Sequence, residues 1–177
     1  MAYKDLHQYN KAIADFNEAI RLKPDYAEAF LGRGGVYTDL HQYDKAIADW
    51  NQAIRLKPDY AEAFNGRGLA YINLKQYDKA IADFNEAIRL EPELARAFNN
   101  RGVAYMYLKQ NDKALSDFNE AIRLKPDSAD IFANRAGCYE KLGNNKAAQR
   151  DRARAKELII ATPTPTPVPT YTSAAKG

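Results

Sequence analysis

The ten residues RLKPDYAEAF occupy positions 21–30, and the same ten letters return at positions 55–64. Looser copies follow at the same interval, as RLEPELARAF at 89–98 and RLKPDSADIF at 123–132. The prolines of the four copies are therefore 34 residues apart, at Pro24, Pro58, Pro92 and Pro126. A fixed period of this length is typical of a protein in which one supersecondary unit is stacked several times.

Each copy contains two stretches whose apolar residues have helical spacing. In the second copy these stretches are 30–40, which begins with Phe30, and 46–54, which centres on Trp50. Apolar residues three or four positions apart lie on one face of an α-helix. Each copy therefore predicts two amphipathic helices of about 12–14 residues, named helix A and helix B in chain order.

The repeated phrase lies at the joint between one copy and the next. Pro58 lacks an N–H and disfavours helical geometry at the residue before it, so it predicts the end of helix B. Asp59 is expected to cap the next helix A, with Glu62 completing a capping box, as Asp25 does with Glu28. The expected N-caps of helix B are Asn10, Asp44, Asp78 and Asp112.

Three successive copies carry one ordered set of residues. In the second copy the set is Phe30, Gly34, Tyr37, Ala46, Trp50, Ala53 and Pro58, and the next two copies repeat it with phenylalanine replacing the tryptophan. This pattern resembles the tetratricopeptide repeat (TPR) family. The resemblance implies an all-α fold, a right-handed superhelical solenoid of antiparallel helix pairs with about four and a half repeats.

The resemblance covers residues 1–161, with repeats at about 1–26 (partial), 27–60, 61–94, 95–128 and 129–161. The first copy lacks most of helix A, because nothing precedes Tyr3 and Leu6, which match Tyr37 and Leu40. The last copy has Arg152 in place of the aromatic residue, and its polar helix B predicts a capping repeat. The Thr/Pro-rich segment 162–177 predicts an extended linker or tail.

Two rows of opposite charge also follow the period. Arginine recurs in helix A at Arg33, Arg67, Arg101 and Arg135. Aspartate recurs in helix B at Asp15, Asp49, Asp83, Asp117 and Asp151. Charges near a core are costly unless they are paired, so we expect Arg–Asp bridges within a repeat or across to the previous helix B. The alternative is that both rows point to water.

No set of residues in the sequence suggests catalysis. His7 and His41 occupy the expected turn between helices A and B and have no Cys or His partner at metal-ligand spacing. Cys138 occupies a small apolar position of the repeat, which predicts a buried packing residue rather than a nucleophile. We therefore expect no enzymatic activity, no cofactor and no metal.

Charge and hydropathy exclude two further classes of partner. The 26 basic and 23 acidic residues give a net charge of +3, and basic residues cluster only at 150–156. This balance does not favour a nucleic-acid partner. No apolar run approaches the roughly 20 residues that span a bilayer, and the N-terminus does not resemble a signal peptide. We expect no membrane association and a cytoplasmic location.

Glycines are concentrated in helix A of the second copy. Gly34 has a packing reason, since a small residue lets two helices approach each other. Gly32 and Gly35 have no packing reason in the sequence, although each costs a helix about 1 kcal/mol relative to alanine. Either this helix is the weakest of the stack or its inner surface is bare for a ligand.

The TPR resemblance implies that helices A line a concave surface, and the copies differ most there. The residues expected to line this groove are Leu31, Asn65, Leu69, Ile72, Asn73, Asn99, Asn100, Val103, Met106, Tyr107, Asn134 and Lys141. Its asparagines can pair with the backbone of an extended peptide, and its apolar residues form a patch typical of a binding site. The alternative is that these residues only pack against neighbouring helices A.

The expected function is a protein-interaction scaffold that binds a peptide or partner segment in this groove. The clamp by which some TPR proteins hold a C-terminal carboxylate is not expected, because its lysine positions hold other residues. The alternative is a structural protein that forms homo-oligomers through an uncovered N-terminal helix face, at Ala12, Phe16 and Ala19.

Overall fold

The computed structural model describes residues 3–161, with side chains from residue 8 onward. Nine helices and no strands are found in this range: α1 Tyr3–Leu22, α2 Ala27–Asp39, α3 Tyr43–Leu56, α4 Ala61–Asn73, α5 Tyr77–Leu90, α6 Ala95–Tyr107, α7 Asn111–Leu124, α8 Ala129–Lys141 and α9 Asn145–Ala161. The predicted all-α fold of helix pairs is confirmed. The segment 162–177, predicted as a linker or tail, lies outside the described residues.

The helices form two layers. Each even-numbered helix is a helix A and packs most extensively on the odd-numbered helix B that follows it. Successive helices A also contact one another, whereas successive helices B have no Cα atoms within 8 Å of each other. Helices A therefore form the inner layer of a curved stack, and helices B form the outer layer. Within the described range, none of these helices is both long and apolar enough to cross a membrane.

The core between the layers repeats with the sequence period. In α3, the buried Ala46 and Ala53 lie on either side of Trp50, and α5 and α7 have the same arrangement around Phe84 and Phe118. Small residues of helix A meet these rings. A Cβ atom at Gly68 would lie 2.6 Å from Cε1 of Phe84, so only glycine fits there without displacement.

Gly34 and its two neighbours in α2 have different surroundings. Gly34 faces Trp50, as predicted, because a Cβ atom there would lie 2.9 Å from the indole Nε1. Gly32 was predicted to have no packing reason, and this is wrong, since the ring of Phe16 occupies the space of its missing side chain. No atom lies within 4 Å of a Cβ built at Gly35, so only Gly35 leaves helix surface bare.

The turn from helix B to helix A forms by backbone hydrogen bonding. Helix α3 ends just before Pro58, as predicted, and the N–H of Tyr60 donates to the carbonyl oxygen of Lys57 at 3.1 Å. Pro58 and Asp59 are the two central residues of this β-turn. Asp59 therefore lies one residue before the N-cap, Tyr60, and no side chain caps α4. The predicted capping boxes are wrong at Asp25/Glu28 and Asp59/Glu62.

The turn from helix A to helix B contains a left-handed residue. His41 has a φ of 57°, and the N–H of Gln42 donates to the carbonyl oxygen of Tyr37 at 2.8 Å. This closure matches a Schellman motif. Helix α3 begins directly afterwards, with Gln42 as its N-cap and no side-chain cap, so Asp44 lies in the first turn. The predicted N-caps of helix B are therefore wrong at Asp44, Asp78 and Asp112.

The first copy departs from the repeat. Tyr3 and Leu6 were expected to belong to a remnant of helix A, with His7 and Asn10 at a turn. Instead α1 continues unbroken through these positions and has 20 residues, compared with 14 in α3. A few residues of helix A have too few contacts to offset the cost of a turn, whereas extension of an existing helix is favourable.

The expected Arg–Asp bridges are confirmed, and each arginine also has a third contact. Nε and Nη2 of Arg67 donate to the two carboxylate oxygens of Asp83 at 2.8 and 2.7 Å. Nη1 of Arg67 donates to Oδ1 of Asn51, on the preceding helix B, at 2.6 Å. The same contacts, here named the arginine clamp, are made by Arg33, Arg101 and Arg135.

The clamp joins successive helices B, whose Cα atoms are nowhere within 8 Å of each other. Each guanidinium group belongs to a helix A and binds the helix B of its own copy and of the preceding copy. The hydrogen bond to Asp83 raises the pKa of Arg67 above its ordinary value, so the arginine stays charged. The side chains of Arg67 and Asp83 are 19% and 9% exposed, so either one alone would be a poorly solvated charge.

Asp83→Ala is expected to lower the free energy of unfolding by about 2–3 kcal/mol, because it leaves Arg67 unpaired in a mostly buried site. Urea denaturation followed by circular dichroism measures this change. The matched control is Glu86→Ala on the same helix, which removes an exposed pair with Arg89 at 2.6 Å and should barely change the midpoint. Equal effects of the two substitutions would contradict the clamp.

Alanine at two glycines is expected to have opposite effects. Gly35→Ala should raise the free energy of unfolding by about 1 kcal/mol, because alanine is the better helix former and meets no neighbour. Gly68→Ala should lower it, because the new Cβ atom would clash with Phe84. Thermal denaturation of both variants measures the two changes, and stabilisation by Gly68→Ala would refute the described packing.

Candidate binding groove

Five of the twelve predicted groove residues line one cavity, here named the α6–α8 pocket. The cavity measures about 190 Å³ and is lined by Val103, Met106, Tyr107, Asn134 and Lys141. The first three occupy positions i, i+3 and i+4 of α6, so they share one helix face. The last two are seven positions apart on α8 and likewise share a face. The inner layer therefore brings together residues that the sequence places up to 38 positions apart.

Two residues that the sequence did not single out help to shape the pocket. Gly137 lies between Asn134 and Lys141 on α8, and a Cβ atom built there would be 3.7 Å from Cε of Met106. The absence of a side chain keeps this space open. The ring of Tyr107 stacks on that of Tyr77, with centroids 4.9 Å apart. Gly137 occupies the same position of the repeat as Val103, which was predicted to line the groove. The sequence could therefore have indicated Gly137 as a pocket residue.

The asparagines of the inner layer bind one another. Nδ2 of Asn100 donates to Oδ1 of Asn65 at 3.1 Å, and Nδ2 of Asn99 donates to Oδ1 of Asn100 at 3.2 Å. Nδ2 of Asn134 donates to Oδ1 of Asn99 at 2.9 Å. This asparagine ladder runs across α4, α6 and α8. Each of its three donating amides uses one N–H and retains a second, since an amide nitrogen carries two.

The other predicted groove residues lie outside the pocket. Leu31 and Ile72 are half-buried and pack against core clusters, as Val103 and Met106 of the pocket also do. Leu69 is exposed. Asn73 is exposed but occupied, since it donates to the carbonyl oxygen of Leu69 at 2.9 Å and accepts from the Tyr43 hydroxyl at 3.2 Å.

The side chains that could carry chemistry are placed in structural roles. Cys138 is buried, as predicted, and its Sγ donates to the carbonyl oxygen of Asn111 at 3.4 Å. Burial raises the pKa of this thiol, which keeps it protonated. His41 lies on the surface, with Nδ1 2.8 Å from the Tyr43 hydroxyl. Between residues 3 and 161, His, Cys, Asp and Glu form no group of three or more suited to a metal ion.

Comparison with known families agrees with this architecture. A family model described as TPR repeat matches residues 2–40 and 34–75, and one described as Tetratricopeptide repeat matches residues 61–94 and 95–128. The chain belongs to the tetratricopeptide repeat family. The TPR matches run from residue 2 to residue 128 and include the repeats that supply α1 to α7. A comparison with curated protein sequences finds no match.

Several solved structures share the TPR fold. A crystal structure of MamA is 23% identical, covers 90% of this chain and 96% of its own, and has a TM-score of 0.74. TTC0263, a thermophilic TPR protein in Thermus thermophilus, is 22% identical over 90% of this chain and 87% of its own, with a TM-score of 0.79. YrrB, described as a TPR protein with an unusual peptide-binding site, is 23% identical over 90% and 82%, with a TM-score of 0.66. At these identities the likeness shows the fold alone.

The thiol of Cys138 should make stability depend on alkaline pH. Its raised pKa means that the folded state favours the protonated thiol, so this contribution is complete below the unfolded pKa of about 8.5 and is lost as the pH rises above it. The wild type should therefore lose more stability between about pH 7 and about pH 10 than Cys138→Ala does.

Urea midpoints of both proteins across this range measure the difference. Alanine is a suitable substitute, because Ala70 and Ala104 occupy the same buried position in other repeats. Parallel pH profiles of the two proteins would show that the thiol is not desolvated in the folded state.

Proposed function

We propose that this TPR chain is a non-enzymatic scaffold that binds an extended segment of a partner protein along the inner face of its helices A. The observation that carries the proposal is the α6–α8 pocket, at which five residues expected to contact a ligand converge. TPR proteins and their structural relatives support the general role of an interaction scaffold. The peptide site in the groove is our specific proposal for this chain.

The pocket is suited to one apolar side chain of the partner. Its volume of about 190 Å³ is below the roughly 300–1,000 Å³ of a small-molecule site. Val103, Met106 and the ring of Tyr107 supply apolar walls, and methionine adapts well to side chains of different shape. Tyr107 is 55% exposed and could bury much of its ring against a ligand.

Lys141 gives the rim of the pocket a positive charge. It is exposed, and the neighbouring Glu140 is already bound to Arg152 at 2.8 Å. Glu140 therefore does not compete for the ammonium group of Lys141. A carboxylate next to the apolar side chain of the partner could bind this ammonium group. The preferred ligand is an apolar residue with an acidic neighbour.

The asparagine ladder would hold the backbone of the partner segment. Asn99, Asn100 and Asn134 each retain one N–H, and together they can donate to carbonyl oxygens whatever the sequence of the peptide. Packed helices are about 8–10 Å apart and an extended chain rises about 3.3 Å per residue, so one helix A spans roughly three peptide residues. The three helices of the ladder would then contact roughly seven to nine residues.

Self-association through the N-terminal end is the second candidate function. Ala12, Phe16 and Ala19 are half-exposed, although the equivalent residues of the next three copies are buried. Uncovered apolar surface of this kind favours association with another molecule. Light scattering over a range of concentrations tests it, and a strict monomer at high concentration would exclude it.

Decapeptides selected on the intact chain from a random displayed library should contain an apolar residue with an acidic neighbour. The double variant Met106→Ala/Lys141→Ala should bind them about tenfold more weakly or worse, because it removes one wall of the pocket and the charge on its rim. Fluorescence anisotropy of labelled peptides measures the affinity.

The matched control is Lys146→Ala, which removes an exposed positive charge from α9 in the outer layer. It should bind the peptides like the wild type, and circular dichroism should show unchanged helicity in both variants. Peptides that bind the double variant as tightly as the wild type would contradict the proposed site.

A further inference from the structure

A second cavity, here named the α8–α9 pocket, lies beside the last arginine clamp. It measures about 300 Å³ and is lined by Arg135, Tyr139, Ala147, Arg150 and Asp151. Arg135 binds both Asp151 of α9 and Asn119 of α7, so the pocket lies on the side of α9 that faces the preceding copy. It shares none of these five residues with the α6–α8 pocket and is a separate site.

In the α8–α9 pocket an alanine replaces a lysine of the earlier copies. Ala147 occupies the position of Lys113, whose ammonium group lies 5.4 Å from the ring centroid of Tyr105. The same lysine–tyrosine pair occurs in the two preceding copies, as Lys45 with Tyr37 and Lys79 with Tyr71. Tyr139 is the counterpart of Tyr105, and the side chain of Ala147 is too short to cover its ring. The replacement therefore leaves space over an aromatic ring.

A second replacement changes the charge of the pocket. Arg150 occupies a position that holds a small residue in the earlier copies, namely Ala48, Ala82 or Ser116. It is exposed, and within residues 8–161 it has no hydrogen bond or ion pair. Asp151 is the one acid among the five lining residues, and both of its carboxylate oxygens accept from Arg135, at 2.7 and 2.8 Å. Arg135 and Asp151 balance each other, so Arg150 gives the pocket a net positive charge.

The polar groups still available in the pocket are hydrogen-bond donors. The guanidinium group of Arg150 presents paired N–H groups, which match a phosphate bidentately. Nη1 and Nη2 of Arg135 each use one N–H in the clamp, and each retains a second. The positive charge and these donors disfavour a cation and favour an anion. A phosphate monoester suits them better than a carboxylate, because it has three strong acceptor oxygens and a charge of about −1.5 to −2.

We propose that the α8–α9 pocket binds an aryl phosphate, with the phosphate on Arg150 and the free N–H groups of Arg135 and with the aromatic ring packed on Tyr139. The ring takes the space that Lys113 occupies over Tyr105 in the preceding copy, and stacked aromatic rings attract each other. The cavity volume of about 300 Å³ is at the lower end of the roughly 300–1,000 Å³ of small-molecule sites. It therefore has room for an organic group beside the phosphate.

Isothermal titration calorimetry of the intact chain with phenyl phosphate tests the proposal. Phenyl phosphate should bind saturably at one site. Benzoate, which has the ring with a carboxylate, and inorganic phosphate, which lacks the ring, should each bind at least about tenfold more weakly. An absence of saturable binding would overturn the proposal, as would benzoate or inorganic phosphate that binds as tightly as phenyl phosphate.

Two substitutions test the charge and the space separately. Arg150→Ala installs the residue that Ala82 supplies in an earlier copy, and it should weaken the binding of phenyl phosphate about tenfold or more. Ala147→Met fills the space over Tyr139 with an uncharged side chain of nearly the length of lysine, so it should abolish binding. Neither residue belongs to the arginine clamp, and circular dichroism should show unchanged helicity. Wild-type affinity in Arg150→Ala would contradict the proposed site.

Matched controls exclude nonspecific attraction and binding in the groove. Arg154→Ala removes another exposed positive charge of α9, which is paired with Glu157 at 3.1 Å, and it should leave the affinity unchanged. The double variant Met106→Ala/Lys141→Ala, which alters the α6–α8 pocket, should also bind phenyl phosphate like the wild type. Either control variant weakening binding as much as Arg150→Ala would overturn the proposal.

A further titration identifies the source of the aryl phosphate, which is either a free small molecule or a phosphotyrosine side chain of a protein. Its probe is a short peptide with phosphotyrosine between alanines. A peptide that binds more tightly than phenyl phosphate indicates a phosphorylated protein, whereas equal or weaker binding indicates a small molecule. Both results support the site if Arg150→Ala weakens them, and peptide binding that does not depend on Arg150 would contradict it.

Discussion

One guanidinium group shared by three helices sets the spacing of this stack. Successive helices B have no Cα atoms within 8 Å of each other, yet Arg67 binds Asn51 on one of them and Asp83 on the next. Apolar packing alone is tolerant of small shifts, whereas three directed hydrogen bonds to one planar cation are not. The clamp therefore fixes how each repeat packs on the preceding repeat. The curvature of the groove depends on this packing.

The sequence predicted the period, the helix pairs and the Arg–Asp bridges, because each has a local signal at a fixed spacing. Asn51 was not predicted as a clamp residue, because a polar residue two positions after Asp49 is indistinguishable from a solvated one until the repeats are stacked. The capping predictions failed for another reason. Proline and the backbone determine the turn, so Asp59 forms a turn instead of a cap. The left-handed turn residue was visible only where it is glycine, at Gly143.

Part of the candidate site could also be predicted from the spacing of residues in the sequence. Residues that differ between copies on the inner face were expected to line a groove, and Met106, Tyr107 and Lys141 do meet at one pocket. The sequence could not tell that Leu31 and Ile72 would pack against the core outside the pocket. It also could not show that the asparagines bind one another across three helices, since that depends on the distance between repeats. The proposed groove site follows from positions at which the copies of the repeat differ.

The proposed function requires a partner segment to occupy the α6–α8 pocket. The chain has two methionines, Met1 and Met106, so the methyl group of Met106 is a nearly unique probe inside the pocket. In a protein labelled with ¹³C at the methionine methyl groups, the Met106 signal is identified by its loss in Met106→Leu. A selected decapeptide should shift this signal saturably, with the affinity found by anisotropy. A Met106 signal that stays in place while the peptide is bound would contradict the account.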